Sequence, residues 1–170
     1  MSHSIDTRFI NTGILLNATE ELTYGLETAV ILGRFHAAGE THWAKVERAG
    51  LPDPTFFGGS IEAGFFLTDD TRVYKDGKFS KIKVSHLVNE GGVGAWQVNM
   101  RFDRLGLVDP DIIGGVQDAF MASLIWKPVD QMRFLLNYSH IDYKDASGIV
   151  TGAPINCGIN VISARAQMDF

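Results

Sequence analysis

The feature that most constrains the fold is an alternation of apolar and polar side chains with a period of two residues. In the segment 96–103 (WQVNMRFD), every second side chain is apolar and those between are polar or charged. Because successive side chains of a β-strand point to opposite faces, this pattern predicts a strand with one apolar and one polar face. Such a strand separates water from lipid or from a protein core.

The same alternation recurs in six further segments, at 23–32, 35–43, 57–67, 119–127, 132–143 and 160–170. The sequence has no apolar run of about 18 residues, as a membrane-spanning helix needs, whereas a strand of a membrane barrel needs only about 10 alternating residues. We therefore predict an all-β, antiparallel transmembrane β-barrel with seven strands in this chain. A further strand at 7–16 (TRFINTGILL) would raise the number to eight.

The connections between these segments differ in length. Turn-forming residues predict tight turns at 33–34 and 128–131, and longer polar connections at 47–55, 106–116 and 144–159. Short turns on one side and long loops on the other are typical of outer-membrane barrels. The last segment ends in Phe170 on its apolar face, which resembles the assembly signal of such barrels.

Composition and spacing argue against several other functions. The net charge of −5 argues against nucleic-acid binding, and the single cysteine, Cys157, excludes an intrachain disulfide and a CxxC metal site. His36, Glu40 and His42 share a strand face, but three steps of about 6.6–7 Å put the two histidines too far apart for one ion. We expect no enzyme activity, no cofactor and no metal.

Several short phrases resemble the phosphate-selective porin O and P family, and they occur in the same order. The first strands carry TYGLE (23–27), GRF (33–35) and KVER (45–48). FFLT (65–68), TRVY (71–74) and GKF (77–79) follow, then GAWQV (94–98) with RFDRL (101–105), LLNY (135–138) and ARAQMDF (164–170). Asp69 and Asp70 depart from the family's Gly-Glu after Thr68, and Val73 stands in place of a proline.

The resemblance implies a sixteen-stranded barrel in the bacterial outer membrane that forms a homotrimer and passes small inorganic anions such as phosphate. Residues 1–170 would then be a single C-terminal part of the barrel, in contact with outer-membrane lipid. The segment 1–11 (MSHSIDTRFIN) lacks the basic and apolar regions of a signal peptide. We therefore expect the chain to be a fragment of a longer exported protein.

If the polar faces line water, the candidate pore-lining residues are Gln97, Asn99, Arg101, Arg133, Arg165, His36 and His42. Arg101 and Arg165 are the first candidates to meet an anion, although both could instead pair with Glu40, Glu62 or Asp103 across neighbouring strands and only stabilise the wall. Strand parity puts the long connection 69–92 on the periplasmic side, and we expect it to fold into the lumen. Its candidate constriction residues are Arg72, Lys75, Lys78, Lys81 and Lys83.

Two other interpretations remain open at this point. The chain could be a small, complete eight-stranded outer-membrane barrel with a structural role, or a soluble β-barrel that binds a ligand. In a membrane barrel the apolar faces point outwards, whereas a soluble barrel hides them inside. Aromatic residues that could form a girdle at the membrane interface are Tyr24, Trp43, Trp96, Trp126, Tyr138 and Tyr143.

Overall fold

The computed structural model describes residues 9–75, 77–80, 82–146 and 155–169. Its strands are β1 (Ala18–Leu32), β2 (Phe35–Arg48), β3 (Thr55–Phe66), β4 (Tyr74–Lys75), β5 (Lys78–Phe79), β6 (Ala95–Asp109), β7 (Ile112–Val129), β8 (Met132–Ala146) and β9 (Ile155–Met168). A 3-10 turn at Val88–Glu90 precedes β6. No helix among the described residues is long and apolar enough to span a membrane.

Seven strands form one antiparallel sheet in the order β1-β2-β3-β6-β7-β8-β9, and β4 and β5 form a separate hairpin. Each long strand coincides with one of the seven alternating segments, although β3 ends at Phe66 and β9 at Met168, and the prediction of seven antiparallel strands is confirmed. Strands β1 and β9 lie at the two edges of the sheet. We call the end that carries the turns 33–34 and 130–131 the lower end, and the opposite end the upper end.

The structure differs from two predictions, one of a loop and one of a strand. The loop expected at 106–116 is wrong, because β6 continues to Asp109, β7 starts at Ile112 and only Pro110 and Asp111 turn the chain. The turn residues Gly114 and Gly115 instead lie within β7, where Gly115 has a φ of 91° next to a register shift. The further strand considered at 7–16 is absent from the described part of that segment, residues 9–16.

The segment 9–17 instead crosses the upper end of the sheet from β7 and β8 to β1. The Asn11 backbone N–H donates to the Gly114 carbonyl over 2.7 Å, and the Phe9 ring stacks on Tyr143 at 4.9 Å. Leu15 packs on a buried apolar cluster formed by Val46, Phe56 and Ile112. This cluster holds the upper ends of β2, β3 and β7 together.

The register gives the sheet two chemically different faces. One row of paired residues crosses all seven strands with apolar side chains: Leu32, Phe35, Phe65, Val98, Leu124, Leu136 and Ala164. On the other face, the row that begins at Ile31 of β1 is polar across the remaining six strands apart from one glycine: His36, Gly64, Asn99, Ser123, Asn137 and Ser163. We call these the apolar face and the polar face.

Aromatic residues occupy both ends of the apolar face. Trp96, Trp126 and Phe134 stack at the lower end, with ring centres 5.4 and 5.5 Å apart. Tyr24, Trp43 and Phe57 form a similar group at the upper end, at 5.6 and 5.5 Å. Tyr138 also lies on this face, since it pairs with Ile162. Tyr143 was a wrong candidate, because it pairs with Cys157 and Gln117 on the polar face.

Gly64 creates the space in which two polar-face side chains meet. A Cβ atom added to Gly64 would lie 2.2 Å from Asn99 Oδ1 and 2.4 Å from the His36 ring. His36 is only 4% exposed and packs between the rings of Phe66 and Phe79. The ring therefore has little freedom to move away from a new methyl group.

We predict that Gly64→Ala destabilises the protein by about 1–3 kcal/mol, the usual range for an added methyl group in a filled site. The matched control is Gly39→Ala on the apolar face, where the nearest atom would be 3.5 Å away. Thermal unfolding in detergent, followed by heat-dependent gel mobility, measures both changes. Equal melting temperatures for the two variants would contradict the role assigned to Gly64.

Candidate functional site

The connection between β3 and β6 lies over the polar face of the sheet. Its Phe79 ring meets the His36 ring edge-on, with centres 5.3 Å apart, and the Arg72 guanidinium lies 5.4 Å from the centre of the same Phe79 ring. Arg72 lines a cavity of about 360 Å³ together with polar-face residues of β2, β3, β6, β7, β8 and β9. The connection thus brings a cation onto the polar face.

A buried core anchors this connection to the lower end. Phe66, at 0% exposure, packs with Ile82, Val84 and Ala95. Polar contacts tie the same region down, since the Val84 N–H donates to Asp130 Oδ1 over 2.9 Å and Lys127 Nζ donates to the Ile82 carbonyl over 2.6 Å. The base of the connection is therefore fixed to β6 and to the β7–β8 turn.

Asp70, one of the two residues that depart from the family phrase, has a structural role here. It is 2% exposed and accepts hydrogen bonds from the Ser85 N–H at 2.7 Å and from the Thr68 hydroxyl at 2.5 Å. Because one side chain bonds to both groups, Asp70 joins the first residues of the connection to the later part that leads back to β6. Asp69 lies 3.6 Å from Arg34, in an exposed ion pair.

Arg101 lies on the polar face, but three carboxylates surround it. Its guanidinium is 2.7 Å from Asp103, 3.5 Å from Glu62 and 3.7 Å from Glu40. Arg101 therefore forms the wall ion pairs that were the alternative to contact with an anion. The four side chains carry three formal negative charges and one positive charge, so this part of the polar face is acidic.

Basic side chains collect instead at the lower end of the polar face. Arg72, Lys127 and Arg133 line a second cavity of about 250 Å³ with Asp130 and Asp169. Burial lowers the pKa of the Arg72 guanidinium, Glu62 raises it and Arg133 lowers it. An arginine stays charged despite such a shift, because its ordinary pKa lies far above neutral pH. The lower end thus carries more basic than acidic groups, whereas acidic groups outnumber basic ones around Arg101.

The remaining pore-lining candidates also lie on the polar face. Gln97 is 1% exposed and forms a hydrogen bond with His36. Arg133 donates a hydrogen bond to Gln167 over 2.7 Å. Arg165 lies on the edge strand β9, where its register partner is Leu135 of β8. His42 lies near the upper end, against Gly25. The shared face is what the alternation predicts, and water contact in a pore stays a prediction.

Several candidate residues lie partly or wholly beyond what the structure describes. Lys81 and Phe170 are outside the described residues, and only the backbone of Lys75 and Lys78 is described, in the hairpin of β4 and β5. Lys83 is exposed. The assembly role of Phe170 and the constriction role of the four lysines therefore stay predictions.

Glu27 joins two residues that sequence reasoning had examined for metal binding. It pairs directly with Glu40 across β1 and β2, and one ligand atom from each of Glu27, Glu40 and His42 lies within 4.8 Å of the others. His36 belongs to a different row. Glu40 also accepts a hydrogen bond from Ser60 at 3.2 Å. These three side chains are the place where the expectation that the chain binds no metal can be tested.

Sequence reasoning missed Glu27 and Lys127 as polar-face charges. Glu27 follows the alternation of β1, since it lies an even number of residues from Ala29 and Ile31 on the polar face, so the period alone could have found it. Lys127 also follows the alternation of β7, since it lies four residues from Ser123 and pairs with Ala95 on the polar face. The period could therefore have found both residues.

Comparisons with known proteins agree with the resemblance. A family model described as phosphate-selective porin O and P matches residues 2–170. A protein of Caulobacter vibrioides, described as uncharacterized, is 46% identical over 168 residues, which make up 99% of this chain and 34% of the relative. The chain therefore spans about a third of the length of this relative.

We predict that Phe79→Ala loosens the connection, because it removes the ring that lies between His36 and Arg72. Trypsin should then cleave at Lys81 or Lys83 at least several-fold faster than in the unchanged protein. Val73→Ala is the matched control, since Val73 is an exposed apolar residue of the same segment at 58% exposure. Equal cleavage rates in both variants, measured by mass spectrometry, would show that the stacking does not hold the connection.

Proposed function

Because this chain belongs to the phosphate-selective porin O and P family, we propose that it forms part of the wall of an outer-membrane porin through which small anions such as phosphate diffuse passively. The coverage of the family model and the seven-stranded antiparallel sheet support the porin assignment. The choice of solute is the finer part of the proposal, and it rests on the charges of the polar face.

The single observation that carries the proposal is the side of the sheet on which the connection lies. It covers the polar face, so the apolar face is the outer one. Large apolar side chains on that outer face are exposed, with Ile162 at 77% and Leu26 at 69%. A soluble barrel would place these side chains inside, and a soluble monomer rarely exposes so large a continuous apolar surface.

The height of the apolar face also suits a membrane. On β6, Trp96 belongs to the lower aromatic group and Gly106 pairs with Phe57 of the upper one. Ten residues at about 3.4 Å each, tilted by about 40°, span about 26 Å. The apolar band of outer-membrane barrels is about 25 Å tall, with aromatic residues at both interfaces.

The proposal includes partners for the two edge strands. Edge strands with unpaired backbone groups are not tolerated in lipid, where every N–H and C=O must be bonded within the protein. We infer that further strands of a longer protein pair with β1 and β9, in agreement with the greater length of the relative. Sixteen strands and homotrimeric assembly stay predictions from the family resemblance.

Anions would meet the basic lower end of the polar face and the connection above it. Arg72 and Arg133 supply fixed positive charge there, and the lysines of the connection add to it. Fixed charge in a narrow, water-filled passage raises the local concentration of ions of the opposite sign. Arg101 would contribute less, since three carboxylates already surround it.

We predict that thiol labelling separates the two faces of β9. In a complete porin with Cys157→Ser and no other cysteine, Ser163→Cys should react with a membrane-impermeant methanethiosulfonate reagent and lose conductance. The neighbouring variant Ile162→Cys should react at least tenfold more slowly, because lipid covers its side chain. Faster reaction at position 162 than at position 163 would reverse the assignment of the faces and remove the proposal.

Replacing Lys75, Lys78, Lys81 and Lys83 with glutamate should shift the reversal potential of the complete porin in a salt gradient towards cations. The change removes four positive charges and adds four negative ones close to the passage. Lys144→Glu, on the apolar face, is a control that should leave the reversal potential unchanged. Unaltered anion preference in an assembled four-lysine variant would exclude these lysines from selectivity.

A further inference from the structure

The larger cavity beneath the connection is the right size for a small organic molecule. Its volume of about 360 Å³ falls in the range of about 300–1,000 Å³ that small-molecule sites occupy. Arg72, Arg101 and Glu62 line it, and because three carboxylates surround Arg101, Arg72 is the cation that an anionic group would use. The lining also contains His36 and five polar side chains that carry no charge near neutral pH: Asn99, Ser123, Asn137, Ser139 and Ser163.

Two buried hydrogen-bond donors of this lining have no partner among the described residues: His36 Nδ1 and Arg72 Nε. Gln97 Nε2 lies 3.1 Å from His36 Nε2, and an amide nitrogen can only donate. The ring nitrogen Nε2 therefore accepts, which places the proton of the neutral imidazole on Nδ1. Buried donors without a partner are unfavourable, so both favour an acceptor oxygen in the cavity.

The floor of the cavity has a different chemistry. Asn99, Ser123, Asn137 and Ser163 are register partners on four neighbouring strands, at steps of about 4.8 Å. Asn99 donates to Ser123 over 3.3 Å, and Asn137 donates to Ser163 over 3.5 Å. Amide and hydroxyl groups both donate and accept hydrogen bonds, as the hydroxyls of a sugar or polyol do. An inorganic phosphate ion lacks the set of carbon-bound hydroxyls that could reach several groups of this row at once.

We propose that this cavity is a binding subsite for polyhydroxylated anions, of which sugar phosphates are the simplest class. The charged group accepts hydrogen bonds from Arg72 and His36, and the hydroxyls of the solute exchange hydrogen bonds with the Asn and Ser row. This inference deepens the proposed function and rests on it, because the cavity then lies beside the route of the permeating anions.

The experiment measures how added solutes reduce the potassium chloride current through the complete porin in a planar bilayer. Glucose 6-phosphate, inorganic phosphate and glucose are compared by their half-inhibiting concentrations. We expect glucose 6-phosphate to act at a concentration at least tenfold lower than either of the others. Only this solute carries both the charged group and the hydroxyls.

Variants then assign the contributions of the two parts of the site. The double variant Asn99→Ala/Asn137→Ala should raise the half-inhibiting concentration of glucose 6-phosphate about tenfold and leave that of inorganic phosphate unchanged. Arg72→Gln should raise both. Asn160→Ala, on the apolar face, is the matched control and should change neither.

Each outcome of these measurements supports or excludes the subsite or the proposed function. If inorganic phosphate inhibits as well as glucose 6-phosphate does, or if no solute inhibits, the subsite is excluded while anion preference in the reversal potential still supports the proposed function. A cation-selective reversal potential would instead remove the proposed function itself. If the double variant fails to assemble, the ranking of the three solutes on the unchanged porin decides the question alone.

Discussion

The structure depends on the pairing of every long strand with its neighbours in a single, nearly uninterrupted register. Because side chains alternate along each strand, this register keeps six or seven residues of the same character in one row across the sheet. A slip of one residue in any strand would turn its apolar side chains towards water. The two faces therefore differ because the strands are paired in this register. The alternation within one strand alone would not produce them.

The polar face is sorted by charge along its height. Carboxylates gather around Arg101 in the middle of the sheet, whereas Arg72, Lys127 and Arg133 lie at the lower end. The acidic group contacts Arg101 both along β6, through Asp103, and across strands, through Glu40 and Glu62. The basic group depends on the connection, which brings Arg72 there from outside the sheet. Under the proposed function, ion selectivity and wall stability would therefore use different residues.

The alternation was sufficient to predict the seven strands and the face of each candidate residue, because both follow from the period. It failed at 106–116, where Pro110 and two glycines suggested a loop although the pairing of β6 and β7 continues almost to the turn. The three carboxylates that could pair with Arg101 followed from the alternation, but the register was needed to show that Glu40 and Glu62, which come from other strands, reach it. The connection has no period, so its contact with His36 also required the structure.

The anchoring of the connection by Phe66 has an evolutionary consequence. Its base is fixed by an apolar core and by backbone hydrogen bonds at the rim, while its tip, β4 and β5, touches the wall mainly through Phe79. The tip can therefore accept substitutions without disturbing the pairing of the seven long strands. Under the proposed function, members of the family could acquire new solute preferences by exchanging this one hairpin.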